Sequence, residues 1–193
     1  MKKIIVIAGV TASGKSDLAI KLAQEYNGEI ISADSVSVYK KLDIGSAKPT
    51  KNELNTIKHH LIDVSPLEEI YSVADFQKDA RRKIEEIYKR NKLPIIVGGT
   101  GLYINALVYD YRFEEYELIE ADEGLSNQEL KNILDELDPE TSKKIHVNNR
   151  KRLLRSLQMV KTFKKPISEI NESAGEVKVY DALIFFLEGD RKK

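Results

Sequence analysis

The stretch Gly9-Val10-Thr11-Ala12-Ser13-Gly14-Lys15-Ser16 fits the pattern G-x-x-x-x-G-K-[ST], and it follows directly on the apolar run Ile4 to Ala8. A buried strand, a glycine-rich turn and a helix start form the context in which this pattern cradles phosphates. The turn's backbone N–H groups and the positive end of the helix attract anions. Gly9, Thr11, Ala12, Ser13, Gly14, Lys15 and Ser16 are therefore the expected phosphate-binding residues. Lys15 is placed to reach the terminal phosphates, and the Ser16 hydroxyl to ligate Mg²⁺. The alternative is a glycine-rich turn that binds nothing.

The rest of the chain continues the pattern of strands alternating with helices. After the helix Ser16 to Tyr26, with Leu18, Ala19, Leu22, Ala23 and Tyr26 on one face, Asn27-Gly28 marks a stop. Glu29-Asp34 reads as a second strand, Ser35 to Asn52 as a loop, and His60-Val64 as a short strand. Ser72-Val73-Ala74-Asp75 reads as a cap, opening a helix along Phe76, Ala80, Ile84 and Ile87 to about Arg90. Leu93-Val97 is a further strand, running into Gly98-Gly99-Thr100-Gly101. Such alternation predicts a parallel α/β sheet. Beyond it, Leu125-Leu137, capped by Ser126, and Arg150-Phe163 read as helices, and Ala182-Leu187 as a last core strand. The expected division is a core at 1–109, a helical insertion at 110–142, and a basic helix with the last strand at 143–193. A strand that returns to the sheet calls for a covering helix, so the chain reads as cut short after it.

Composition narrows the classes. No run of about 18 apolar residues is present, so no helical membrane span is expected. The apolar run after Met1-Lys2-Lys3 leads into the phosphate loop and does not read as a signal peptide. The chain has no cysteine, which fits a cytoplasmic setting and excludes a thiolate metal site. The net charge of zero conceals an asymmetry. Between Asp110 and Glu140 lie 12 acidic and two basic residues, whereas Lys143 to Lys165 holds nine basic residues and no acid. A basic stretch of this kind suits phosphates of a substrate or of a nucleic-acid backbone.

In open parallel sheets, ligands bind beyond the carboxyl ends of the strands. The phosphate loop, Asp34 and Thr100 each stand at such an end and are expected to converge. Asp34 can hold Mg²⁺ or take a proton from a nucleophile, or it can simply cap the turn that follows. Thr100 can donate a hydrogen bond to substrate or pack as a turn residue, and Gly98, Gly99 and Gly101 suggest close backbone approach. Arg152 and Arg155 share a helix face and have the forked geometry that suits phosphate oxygens. Adjacent His59 and His60 point to opposite sides of a strand, cannot readily share a metal, and read as structural. His146 reads as a turn residue. Tyr39, Tyr71 and Tyr103 read as packing.

Several further blocks resemble the tRNA dimethylallyltransferase family. They are Ile30-Ile31-Ser32-Ala33-Asp34-Ser35, Tyr39, Asp43-Ile44-Gly45-Ser46-Ala47-Lys48-Pro49, His59-His60-Leu61-Ile62-Asp63, Tyr71 to Phe76, Gly98 to Tyr103, Asp138-Pro139-Glu140, Arg152 to Leu157 and Lys165 to Glu169. The resemblance implies a parallel-sheet, P-loop NTPase-like α/β core with a small helical insertion. It also implies transfer of a dimethylallyl group from dimethylallyl diphosphate to N6 of an adenosine adjacent to the tRNA anticodon. Carried over by position, Thr11 to Ser16 hold the diphosphate, Asp34 is the general base, and Thr100 lies near the reacting centre beside Lys15. Asp34, Ser35, Val36 and Ser37, with Lys151, Arg152, Leu153, Leu154 and Arg155, match tRNA-contacting stretches. The implied cofactor is Mg²⁺, the implied partners are the tRNA anticodon stem-loop and dimethylallyl diphosphate, and a monomer away from membranes is expected. Val10 and Ser37 stand where the family usually has Pro and Gln. A phosphate-loop small-molecule kinase, a prenyltransferase acting on free adenine nucleotides, and a non-catalytic nucleotide-binding module are the alternatives.

Overall fold

The computed structural model describes residues 1–46, 48–111, 113, 124–167, 169 and 177–188. Expectations at Ala47, at 114–122 of the acidic stretch, at Ser168 and at 190–193 lie outside the described residues. The chain forms two compact units, one of Met1–Tyr111 with Gly175–Lys193 and the other of Arg112–Ala174.

In the first unit, β1 (Lys3–Gly9), β2 (Gly28–Ser32), β3 (His59–His60), β4 (Leu93–Gly98) and β5 (Asp181–Leu187) form one parallel sheet in the order β3-β2-β4-β1-β5. Alternate residues feed two cores, as the period of a strand requires. Ile4, Val6, Ile31 and Ile96 pack with Phe76, Ala80, Ile84 and Ile87 of α3 (Val73–Lys89) and with Tyr103 and Leu107 of α4 (Gly101–Val108). Ile7, Ile30 and Ile95 pack on Ala19 and Ala23 of α1 (Lys15–Glu25). β1 connects toward β2 across β4, whereas β4 leads to β5 on the far side of β1. The crevice beyond the ends of β1 and β4 is thus the point where the winding reverses, the usual ligand position in such sheets.

The parallel α/β architecture agrees with the sequence expectation, with several differences of detail. β3 stops at His60 because Leu61 (φ 61°) and Asp63 (φ 54°) enter the left-handed region, so the strand expected to Val64 does not form. Tyr26 is the exposed C-cap of α1 and does not share its buried face. A short helix, α2 (Lys51–Thr56), starts at a Thr50–Glu53 capping box inside the expected loop and runs past the loop's expected end at Asn52. β5 is an edge strand, not a core strand: Leu183, Ile184, Phe185 and Phe186 are all exposed.

In the second unit, α5 (Asn127–Leu137), α6 (Pro139–Lys143) and α7 (Arg150–Phe163) enclose Leu130, Leu134, Ile145, Leu153, Leu157 and Val160. Buried Asp138 caps α6 and also accepts the Ile167 N–H at 2.7 Å, joining the two ends of this core.

Candidate active site

The loop after β1 is shaped by its backbone. Ala12 (φ 63°) and Gly14 (φ 79°) are left-handed, and Gly14 is the N-cap of α1 with no side chain capping it. The N–H groups of the first turn are left for an outside acceptor. The Ser13 hydroxyl is buried and, among the described residues, has no hydrogen-bond partner. The Lys15 ammonium donates to the Val10 carbonyl across the loop. Burial pushes the Lys15 pKa below its ordinary value, against the opposing pull of the Asp34 charge. Both features suit an anion that would take these donors.

Thr11 to Asp17, Asp34, Ser32 and Ser37 line one pocket of about 420 Å³, together with Ala19, Ile30, Pro49, His59, Val97, Gly98 and Gly99. The phosphate loop and Asp34, 18 or more residues apart in the chain, thus share a cavity. Thr100 is not among its lining residues. Its hydroxyl accepts the Ser35 N–H at 3.2 Å and lies 3.4 Å from the Ser35 hydroxyl, so it ties the end of β4 to the turn after β2.

Asp34 caps the turn that follows it and also lines the pocket. Its Oδ1 accepts the N–H groups of Val36 at 2.8 Å and Ser37 at 3.1 Å, the turn-capping arrangement. No hydrogen bond to its Oδ2 is found among the described residues. Ser35 and Val36 are exposed beside it, whereas Ser37 is 3% exposed, with its hydroxyl 2.8 Å from that of Ser32. Exposed Ser16 stands in the first turn of α1 and lines the pocket.

Ser32, Asp17 and His59 were not singled out as pocket residues by the sequence. His59 is half-buried, and its Nδ1 lies 2.8 Å from the Ile57 carbonyl. A carbonyl only accepts, so Nδ1 carries the hydrogen, and Nε2 of the neutral ring is an acceptor. Burial lowers its pKa, which keeps the ring neutral. His60 faces the other side, against buried Glu29, as the strand alternation requires. Among the described residues no group of three His, Asp or Glu side chains could hold a metal by itself.

In the second unit, Asn149 caps α7, whose Lys151, Arg152 and Arg155 are exposed. Leu153 is fully buried in that unit's core and Leu154 is half-buried against it, so these two side chains serve packing.

Known proteins resemble this chain in sequence and in fold. The sequence model described as IPP transferase matches residues 37–193. A tRNA dimethylallyltransferase of Thermoanaerobacter sp. strain X514 is 46% identical over 90% of this chain and 58% of its own length. That of Enterococcus faecalis is 45% identical over 99% of this chain and 64% of its own length. The chain therefore spans about three-fifths of these relatives. Among solved structures, a eukaryotic dimethylallyltransferase acting on tRNA superposes with a TM-score of 0.79 at 34% identity, covering 98% of this chain and 49% of that one. The tRNA delta(2)-isopentenylpyrophosphate transferase of Staphylococcus epidermidis gives 0.62 at 41% identity, over 96% of this chain and 63% of that one. With its phosphate loop, its strand order and the family match over most of its length, this chain belongs to the IPP transferase family.

Proposed function

We propose that this protein transfers a dimethylallyl group from dimethylallyl diphosphate to N6 of an adenosine adjacent to the tRNA anticodon, releasing diphosphate. The observation that carries the proposal is the single pocket joining the phosphate loop to Asp34, in a chain of this family. The N6 lone pair attacks C1 of the allyl group, the C1–O bond breaks with its electrons passing to the diphosphate, and Oδ2 of Asp34 receives the N6 proton. Negative charge grows on the leaving group, where Lys15 and the N–H groups of Thr11 to Ser16 neutralise it. The target base leaves its stack to reach the pocket, and Asp34, Ser35, Val36 and Ser37 line its approach. Lys151, Arg152 and Arg155 grip the tRNA backbone through phosphate contacts.

Mg²⁺ fits the donors present. The Ser16 hydroxyl and the Asp34 carboxylate are hard oxygens on one pocket, and Mg²⁺ takes most of its remaining ligands from phosphate and water. When bound there it supplies charge neutralisation on the diphosphate. On the same reading the protein works as a monomer in the cytoplasm. Among the described residues no helix is long and apolar enough to cross a membrane.

The test offers dimethylallyl diphosphate and Mg²⁺ with unmodified tRNA or with AMP, followed by nucleoside analysis. N6-dimethylallyladenosine in the tRNA arm is expected. Product in the AMP arm alone, or no prenyl transfer in either arm, would overturn the proposal.

A further inference from the structure

Ser32 lies on β2 two residues before Asp34, lines the pocket, and has no part in the chemistry set out above. Its hydroxyl is 2.8 Å from that of Ser37. Ser37 has a second contact, from its hydroxyl to the Asp34 carbonyl at 3.4 Å, and its N–H donates to Asp34 Oδ1 at 3.1 Å. A hydroxyl carries one hydrogen. Either hydroxyl of the Ser32–Ser37 pair can be the donor.

We propose that Ser32 is a positioning residue for the general base, acting through Ser37 to hold one carboxylate oxygen of Asp34 and so aim the other at the pocket. The inference rests on the proposed role of Asp34. Two side chains from outside the turn 34–37 tie it down. Ser32 holds its buried end from within β2, and Thr100 holds Ser35 from the end of β4. Without Ser32, the Ser37 hydroxyl keeps only the long contact to its own turn, while the Ser37 carbonyl still accepts the Asp63 N–H at 3.1 Å. The N–H at Oδ1 then loses its side-chain anchor, and the carboxylate gains freedom where reacting groups need close alignment. Pyrophosphate, held by the loop after β1, does not depend on this stitch.

The test compares wild type, Ser32→Ala and Ser32→Thr, alone and with Asp34→Asn. Expected for Ser32→Ala is a fall in kcat of about tenfold, with KM for dimethylallyl diphosphate and affinity for inorganic pyrophosphate within about twofold. Ser32→Thr, which keeps the hydroxyl, restores most of the rate. In the Asp34→Asn background Ser32→Ala adds nothing. Amide exchange at Ser37, which needs no turnover, is expected to quicken about tenfold in Ser32→Ala. Full activity in Ser32→Ala, an equal loss in the Asp34→Asn background, a loss confined to KM or pyrophosphate affinity, or unchanged exchange at Ser37 would each overturn the proposal. A wild type that transfers no prenyl group while Ser37 exchange still responds would sink the parent function and leave the tether standing.

Discussion

Gly98 approaches Ala33 so closely that a β-carbon at position 98 would lie 2.1 Å from the Ala33 carbonyl oxygen. The ends of β4 and β2 can meet at this distance only because one of the two residues has no side chain. The same approach lets Thr100 reach the turn that carries Asp34.

Gly98→Ala is therefore expected to force the two strand ends apart, with a loss of about 3 kcal/mol, at the upper end of overpacking penalties. Prenyl transfer is expected to fall with it. Gly101→Ala is the matched control, since nothing lies within 4 Å of a β-carbon there. Thermal unfolding of the two variants side by side checks the contrast. Equal stability would show that the backbone absorbs the methyl group.

Asp34→Asn separates the two jobs of the side chain. The amide oxygen can still accept from Val36 and Ser37, so the turn is expected to persist, whereas the proton acceptor is gone. Single-turnover transfer is expected to drop about 10²–10⁴-fold, the usual worth of a positioned base. Pyrophosphate affinity, measured by calorimetry without Mg²⁺, should hardly change. Substantial activity in this variant would remove Asp34 from the chemistry.

Much of this site was legible before any coordinates. The phosphate loop announces itself by pattern, and Asp34 by its place at the end of an apolar run. Long helices such as α3 and α7 show both a periodic face and a cap. Short helices lack that length. α2 and α6 span six and five residues, and their signals are only the Thr50–Glu53 box and the Asp138-Pro139 start. An apolar run such as β5 reads alike whether a strand ends up central or at an edge, because only the sheet order decides which. His59 and Ser32 enter the pocket through the pairing of Ile30 with His59, a relation between distant strands that no local pattern encodes.

The basic face of α7 can be weighed by salt. Arg152 and Arg155 are both exposed, as a backbone grip requires. Each Arg→Ala change is expected to lower the slope of log affinity for tRNA against log salt by about 0.7–0.9, as for one lost phosphate contact. Filter binding across a salt series reads this directly. Leu153→Ala should instead destabilise the second unit by about 2–5 kcal/mol, because that side chain is fully buried. Unchanged slopes in both arginine variants would mean that this helix face does not touch RNA.

Glu29 gives the fold an acid limit far from the chemistry. Its side chain is 2% exposed, and Arg90 (2.7 Å), His60 (2.7 Å) and Lys92 (3.2 Å) surround it. Burial alone would raise its pKa, but the three partners outweigh burial and hold it at about 2, below the ordinary 4.5. Burial also lowers the pKa of His60, against the pull of Glu29. Both shifts have the same sign, since the unfolded chain binds a proton that the folded one does not. Stability is therefore expected to decline first as pH falls below about 6.5, when His60 of the unfolded chain protonates. It declines further between about pH 4.5 and 2, where Glu29 contributes up to about 3 kcal/mol. Urea unfolding midpoints from pH 8 to 3 should show both steps. Glu29→Gln is expected to be less stable at pH 7, because three cationic or buried donors lose their carboxylate, and to show a smaller second step. A second step of full size in that variant would assign the acid limit to other carboxylates.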